Sequence, residues 1–386
     1  MLRDFSAQAL AAGLFAAFVG TASSFAIILQ GLSAMGATPA QAASGLMALS
    51  MAMGLCAIYL SLKLKLPISI AWSTPGAALL ASSATPEGGF AVAVGAFVVC
   101  GGLIVMAGLW KPLGRAVESI PAPLANAMLA GVIFSLCLAP AKAVAEVPQL
   151  ALPVIVVWAL VAKFRRLYAV PAAVIVAIAL IIAFVPGKPV DPASLWPVPV
   201  LVTPQFSPQA LIGIALPLFI VTMASQNIPG MAVLNVNGYR PEAGPLFTTT
   251  GVFSLLAAPF GGHAVNLAAI TAALCAGPDA HPDPNRRYWA AVVAGLAYLV
   301  FGLAAGAATA LISASPPILI QAVAGLALLG SLGSALMNAV KDVENREAAT
   351  ITFLVSASGL SFYGISGAFW GLLAGGAVMA LGRWRG

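Results

Sequence analysis

The side chains able to bind a polar ligand lie in three short clusters of an otherwise apolar chain. They are hydroxyls, amides and one histidine, flanked by glycine and proline. The chemistry they offer is hydrogen bonding and, at the histidine, the gain or loss of a proton. The candidate ligand-binding residues are Trp72, Ser73, Thr74, Pro75, Gly76, Gln226, Asn227, Gly262, His263 and Asn266.

Composition places these clusters in a membrane protein. Of the 386 residues, 61% are hydrophobic and 7% are charged, and the mean hydropathy is +1.03. A soluble domain carries about 25% charged residues. We therefore expect the lipid bilayer to be the main partner. The pI near 9.3 reflects loop residues rather than a basic patch, so no nucleic acid partner is expected.

Division of the chain at its charges, prolines and polar clusters predicts about 14 transmembrane segments and an all-α integral membrane protein. The predicted spans are 7–30, 40–61, 67–83, 89–110, 122–140, 149–163, 168–186, 209–227, 243–259, 263–277, 287–311, 316–339, 348–363 and 365–382. Several are shorter than the roughly 20 residues that a helix needs to cross a bilayer.

The basic residues support this division. With a cytoplasmic N-terminus and alternating sides, only Lys142 and Lys188 of the 17 Lys and Arg residues fall outside. Positive charge in short loops favours the cytoplasmic side. The pattern therefore predicts a multi-pass protein of a bacterial-type cytoplasmic (inner) membrane, with both termini in the cytoplasm.

A proline-rich linker, 187–208, divides the chain into repeats 1–186 and 209–386. The seven prolines at this division are Pro186, Pro189, Pro192, Pro197, Pro199, Pro204 and Pro208. Seven spans on each side would give a 7+7 inverted repeat, an arrangement common in secondary transporters. The third and tenth spans then occupy equivalent positions.

Both of these spans are interrupted. In the third, Pro67 and the residues 72–76 break an apolar run, with Ser73 or Thr74 as a helix N-cap and Pro75 as the first helical residue. In the tenth, glycine, His263 and Asn266 precede a short apolar stretch.

We expect the two half-helices to meet near mid-membrane, with their N-termini forming an anion site from main-chain amides. The alternative is that both breaks are ordinary kinks of membrane helices.

The acidic residues exclude several functions. All 11 lie in predicted loops or at span ends. Rings of Asp or Glu are expected for cation selectivity, and membrane-embedded acid-pair enzymes require deep carboxylates. An anionic or neutral ligand is therefore favoured, and no enzyme is expected. Four scattered cysteines and two histidines predict neither a metal site nor a cofactor.

Two polar features each allow two interpretations. Gln226 and Asn227 are suited to hydrogen-bonding a ligand, or they join neighbouring helices. His263 is the titratable side chain near the predicted site, because His281 lies in a loop rich in Asp and Pro. It is a candidate for proton coupling, or a structural hydrogen-bonding group.

At these residues the chain resembles the benzoate:proton symporter family (BenE-type), over nearly its whole length. The stretches that carry the resemblance are LPISIAWSTPGAALL (66–80), QNIPGMAVLNVNGY (226–239) and APFGGHAVNLAAITAA (258–273). More distantly, the layout is similar to the nucleobase and sulfate transporter superfamily.

The resemblance implies secondary active import of a small aromatic carboxylate, with benzoate favoured, by symport with a proton. It also implies a core domain (spans 1–4 and 8–11) that moves against a gate domain (spans 5–7 and 12–14), with substrate between the third and tenth spans. Whether the protein is a homodimer stays open.

One departure separates the chain from nucleobase carriers. These carry glutamates on the eighth and tenth spans, where this chain has Gln226 and Asn227, and Val265 and Asn266. A nucleobase or inorganic-anion carrier, or a passive anion channel, remains the alternative function.

Overall fold

The computed structural model describes residues 5–118, 120–185, 195–269, 271–363 and 365–384. The predicted linker residues 187–194, together with Pro186, lie outside this part of the chain. The rest of the linker, 195–207, is mostly irregular and is tied to the helices by two backbone bonds. Val202 N–H donates to Pro259 O at 2.7 Å, and Gln205 N–H donates to Ala91 O at 2.9 Å.

The first half of the chain is helical except for one short strand. Its elements are α1 (Ala7–Ala22), α2 (Phe25–Ala34), α3 (Pro39–Leu64), β1 (Ile70–Trp72), α4 (Thr74–Ser82), α5 (Phe90–Leu109), α6 (Lys111–Glu118), α7 (Ala122–Cys137), α8 (Ala139–Glu146) and α9 (Pro148–Phe184). Local sequence explains where α3 starts. Thr38 accepts from Gln41 N–H and its own N–H donates to Gln41 Oε1, a capping box followed by Pro39.

The second half begins with one long helix that contains two π-helical turns. Its helical parts are α10 (Pro208–Ala210), α11 (Leu216–Thr222) and α12 (Ile228–Val236), joined by π-turns at Leu211–Ala215 and Met223–Asn227. The remaining elements are α13 (Ala243–Ala257), β2 (Val265–Leu267), α14 (Ala272–Ala276), α15 (Tyr288–Leu303), α16 (Ala305–Ser313), α17 (Pro317–Val340), α18 (Arg346–Ala357), β3 (Ser361–Phe362), β4 (Ile365–Ser366) and α19 (Gly367–Trp384).

The prediction of an all-α protein is corrected by two small antiparallel sheets, β1–β2 and β3–β4. The first sheet is formed by the two segments predicted to be broken. Because backbone groups away from water must be hydrogen-bonded, a segment that Pro67 and Pro75 keep from being one continuous helix can satisfy them by pairing with another segment.

The number of spans agrees with the prediction only in part. Within the described residues, eight helices are long and apolar enough to cross a membrane, or nine if the pair Pro284–Leu303 and Ala305–Ser313, bent by 52°, is one span. The third and tenth predicted spans contain helices of nine and five residues, which are too short to cross alone.

Helix α9 also affects the number of spans. At 37 residues it would be roughly 55 Å long if straight, against a hydrocarbon core of about 30 Å. Arg165 has non-helical backbone angles (φ −149°, ψ 87°) and divides it. Val154 before the break and Ala177 after it belong to one apolar cluster with Leu319 of α17, so both parts pack against α17.

The helices form two packing groups. In the first group, α3 packs against α13, α15 and α16, and the further pairs are α5 with α13, α1 with α15, and α2 with α4. In the second group, α17 packs against α7, α8 and α9, and α18 packs against α7 and α19. Glycine permits the closest approaches. A Cβ at Gly54 of α3 would lie 2.6 Å from Gly295 O of α15, and one at Gly295 would lie 2.7 Å from Gly54 O.

Polar residues gather at one end of the bundle. Gln8 Nε2 donates to Asp279 O at 3.0 Å, and Arg287 Nη1 donates to Ala276 O at 2.9 Å. Lys65 Nζ lies 4.6 Å from the centre of the Tyr288 ring. This end therefore contains basic residues that the charge pattern assigns to the cytoplasm.

Candidate functional site

The first interrupted segment is a strand followed directly by a capped helix. Ser73, predicted as an N-cap, has this role: its Oγ accepts from Gly76 N–H at 3.1 Å and lies 2.8 Å from Thr222 Oγ1. Pro75 is the second helical residue rather than the first, because α4 begins at Thr74. Gly76 is closely packed, since a Cβ there would lie 2.5 Å from Leu218 Cδ1.

The second interrupted segment pairs with the first. β1 and β2 are antiparallel, with Ile70 opposite Leu267, Ala71 opposite Asn266 and Trp72 opposite Val265. The pairing continues beyond both strands: Ser73 N–H donates to Ala264 O at 3.1 Å, and Ala268 N–H donates to Ser69 O at 2.9 Å. The two segments therefore meet, but as paired strands.

Side chains satisfy the outer edge of β2. Val265 N–H donates to Ser254 Oγ at 2.8 Å, and Leu267 N–H donates to Asn227 Oδ1 at 2.9 Å. Asn227 Nδ2 also lies 3.1 Å from Met223 Sδ, and the residue is fully buried. Asn227 thus replaces a neighbouring strand and fixes the π-turn against β2.

The predicted site residues after Gly261 are buried in and next to β2. Gly262 N–H donates to Ala257 O at 3.0 Å. His263 is fully buried, with Nε2 3.1 Å from Ser73 O and its ring edge-on to Phe97. Because a carbonyl oxygen only accepts, Nε2 carries a proton.

Two buried polar atoms lack partners in this region. His263 Nδ1 and Asn266 Oδ1 form no hydrogen bond with a described residue, although Asn266 Nδ2 donates to Leu267 O at 2.9 Å. The helix α14 starts only at Ala272 and has five residues. The expected second helix N-terminus therefore does not directly follow Asn266.

A cavity lies beside the β1–β2 sheet, since Ala71 and Trp72 of β1 line it. Its volume is about 50 Å³, which is below the range of roughly 300–1,000 Å³ usual for a small-molecule site. Its lining residues are Val19, Gly20, Ser23, Ser24, Met53, Ala71, Trp72, Thr74, Gln226, Ala268, Ala269, Thr271 and Tyr298. Of the predicted site residues, Trp72, Thr74 and Gln226 line it.

A larger cavity of about 400 Å³, which is within that range, adjoins the first. The two share Val19, Ser23, Ser24, Thr74 and Gln226 in their walls. The larger one also contacts Pro75, Trp158 and Arg166. Ser73, Gly76, Asn227, Gly262, His263 and Asn266 are not lining residues of either cavity.

The polar groups of the cavity differ in what they bind. Trp72 is 2% exposed, and its Nε1 donates to Ser24 Oγ at 2.8 Å, which fixes the indole ring. Gln226 is 8% exposed, yet its amide has no hydrogen bond to a described residue; the same holds for the Thr74 hydroxyl. Since buried polar groups normally have partners, the Gln226 amide is available to a ligand, and so is the hydroxyl of the half-buried Thr74.

Several cavity residues were not predicted. Ser23 and Ser24 lie where α1 ends and α2 begins, and the polar run Thr21-Ala22-Ser23-Ser24 inside an apolar span was a usable signal. Thr271, Tyr298, Trp158 and Arg166 gave no comparable signal, because only the packing of distant elements brings them to the cavity. Among the described residues, no group of three or more His, Cys, Asp or Glu could hold a metal ion.

Comparison with known proteins identifies the family. Residues 3–381 match the BenE family, described as benzoate membrane transport protein. The chain is 42% identical to the inner membrane protein YdcO of Escherichia coli (strain K12), over 95% of this chain and 94% of that protein. It is 33% identical to a benzoate membrane transport protein of Acinetobacter baylyi (strain ATCC 33305 / BD413 / ADP1), over 97% of this chain and 94% of that protein.

A solved structure shows a similar fold. The transmembrane domain of a cyanobacterial bicarbonate transporter, BicA, aligns with a TM-score of 0.63 at 15% identity, covering 96% of this chain and 98% of that one. The protein is thus a multi-pass membrane protein of mostly helical transporter fold. The family and the Acinetobacter relative are named as membrane transport proteins and not as enzymes. The chain belongs to the BenE family of benzoate membrane transport proteins.

Proposed function

We propose that the protein imports an aromatic carboxylate, with benzoate as the favoured substrate, together with a proton. The observation that carries this proposal is the pair of adjoining cavities where the Gln226 amide and the Thr74 hydroxyl, near the fixed ring of Trp72, have no partner among the described residues. The family and the name of the Acinetobacter relative support the substrate.

The substrate carboxylate binds at Thr74 and Gln226. Thr74 is the first residue of α4, so the positive end of the helix dipole favours negative charge there. The Gln226 amide, in the π-turn Met223–Asn227, donates a second hydrogen bond to the carboxylate. The aromatic ring packs against Trp72 and Met53, which line the same cavity.

The remaining predicted residues support this site from behind. Ser73 caps α4, Gly76 allows α4 to approach α11, and Asn227 holds β2. Asn266 lies in β2, which pairs with β1, and Gly262 lies shortly before that strand. They act on the substrate through the position of Thr74 and Trp72.

His263 is the proposed proton site, acting through Ser73. Its Nε2–H bond to Ser73 O leaves Nδ1 as the atom that gains or loses a proton. Asn266 Oδ1, also without a partner, is an acceptor available in the same buried region. Because Ser73 caps α4, a change at His263 is transmitted to the start of that helix.

The proposal includes the finer architecture predicted above. It has 14 spans in repeats 1–186 and 209–386, a third and a tenth span that are broken, and cytoplasmic termini. The two packing groups support core and gate domains, since α1–α5 and α13–α16 pack together and α7–α9 pack with α17–α19. A monomer and a homodimer are both compatible with this site.

Coupling to a proton follows from the charge of the substrate. An anion entering a cell with a negative interior is opposed by roughly 2.3 kcal/mol per 100 mV. One proton carried with each carboxylate makes the cycle electroneutral, so that the pH gradient drives accumulation.

Uptake of labelled benzoate into proteoliposomes under an imposed pH gradient tests the proposal. We expect accumulation above equilibrium, inhibited by unlabelled benzoate but not by uracil or sulfate. Equilibration without accumulation would indicate a passive channel. Uptake of labelled uracil or sulfate, with no uptake of benzoate, would assign the other substrate class.

Thr74→Val tests the binding site. Loss of one hydrogen bond to a charged group weakens binding by about 1.5–3 kcal/mol, or roughly 10- to 150-fold in Kd. Thr350→Val is the matched control, because Thr350 is exposed on α18 and its hydroxyl bonds only to Arg346 O. An unchanged Kd for benzoate in the Thr74 variant would refute the proposed contact.

A further inference from the structure

An exposed basic side chain, Arg166, lines the larger cavity. Arg166 is the one charged residue among the described residues that line it. The side chain has neither an ion pair nor a hydrogen bond with a described residue. Its Nη2 lies 3.4 Å from where a Cβ at Gly330 would be, so the guanidinium lies over α17 at a position without a side chain.

An aromatic side chain and a hydroxyl accompany this arginine. Trp158 of α9 and Ser331 of α17 line the same cavity. A guanidinium binds a carboxylate through two parallel hydrogen bonds, and an indole provides a large apolar surface for a ring. The combination matches a small molecule that has an aromatic ring and a carboxylate.

We propose that Trp158, Arg166, Gly330 and Ser331 form a second binding site for an aromatic carboxylate. This inference rests on the proposed function for the substrate class. The second site lies in the cavity that also contacts Thr74 and Gln226, so it is the next position that a substrate reaches after leaving the first.

The direction of this step follows from a third cavity. Arg166 and Leu167 also line that cavity, together with Gln8 and Asp279, which belong to the polar end of the bundle. The second site therefore lies between the first site and the side that the charge pattern assigns to the cytoplasm. Asp279 is the acidic residue lining the third cavity, and it forms no ion pair with Arg166.

Equilibrium binding of labelled benzoate to the purified full-length protein in detergent tests the second site. We expect two sites per chain in the unmodified protein. Arg166→Gln should weaken one of them at least tenfold and leave the other, which Thr74→Val weakens. Benzamide, which has the ring without the charge, should bind more weakly than benzoate at both sites, with the larger loss at the Arg166 site, where a full positive charge faces the carboxylate.

Arg165→Gln is the matched control. Arg165 is the neighbouring residue and lines the third cavity but not the larger one, so both sites should remain within twofold. If Arg166→Gln does not fold, Gly330→Val provides the second variant, because its side chain occupies the place over which the guanidinium lies. It should weaken the same site.

The outcomes separate the two proposals. A single benzoate site that neither Arg166→Gln nor Gly330→Val changes would overturn the second site and leave the proposed function intact. Equal losses in the Arg165 and Arg166 variants would also overturn it, since they would indicate a general effect of surface charge. No benzoate binding to the unmodified protein would overturn both proposals.

Discussion

Gln226 and Asn227 are adjacent amides in one π-turn, yet replacing each with leucine should affect different properties. Asn227→Leu should lower stability, and Gln226→Leu should lower the affinity for benzoate. Asn227 Oδ1 accepts the N–H of Leu267, a residue that is 1% exposed. Gln226 has no hydrogen bond to a described residue and lines both cavities that contact Thr74. The same substitution should therefore remove a structural bond at one position and the proposed ligand contact at the other.

The expected magnitudes follow from these contacts. Asn227→Leu leaves the Leu267 N–H buried without an acceptor, which should lower the free energy of unfolding by about 1–3 kcal/mol. Gln226→Leu leaves no protein group unsatisfied, so its unfolding free energy should change by less than about 1 kcal/mol. Its Kd for benzoate should rise roughly 10- to 150-fold, from the lost bond to a charged carboxylate.

Two measurements on the same purified variants test this contrast. Denaturant unfolding in mixed micelles gives the free energy of unfolding, and equilibrium binding gives the Kd. Gln209→Leu is the control, since Gln209 is an exposed amide of α10. A destabilised Gln226 variant with unchanged Kd, or an Asn227 variant of unchanged stability, would refute the assignment of the two roles.

Two further predictions concern coupling and packing. His263→Gln should abolish benzoate accumulation driven by a pH gradient, because glutamine cannot carry the proton. Exchange of internal for external benzoate should continue. Full accumulation in this variant would show that His263 is not the coupling group. Gly54→Leu should lower the free energy of unfolding by about 1–3 kcal/mol, because a Cβ at Gly54 already lies 2.6 Å from Gly295 O. Gly102→Ala is its control, since a Cβ there meets nothing within 4 Å, and similar stability losses in both variants would contradict the packing argument.

The sequence was sufficient to predict the membrane class, the family and the start of the short helix α4. The helix start was predictable because Ser73 and Pro75 favour it locally, and Ser73 is one of the two expected N-caps. These features depend on a few neighbouring residues, so they can be inferred without knowledge of the rest of the fold.

The pairing of β1 with β2 was not predictable in this way. Each strand has three residues, which is too short for an alternating pattern, and the partners are far apart in the chain. For the same reason, the sequence did not separate Gln226, which faces the cavity, from Asn227, which bonds to β2.

The pairing of β1 with β2 also restricts how the protein can move. The two segments come from opposite halves of the chain but share backbone hydrogen bonds, and Ser254 and Asn227 occupy the remaining amides of β2. Separating them within the membrane would expose several peptide groups to apolar surroundings at a cost of several kcal/mol for each. The two segments should therefore shift as one rigid body. The other wall of the larger cavity is formed by α9 and α17. Access of substrate to the cavity from either side of the membrane should then alternate as these helices move relative to the sheet.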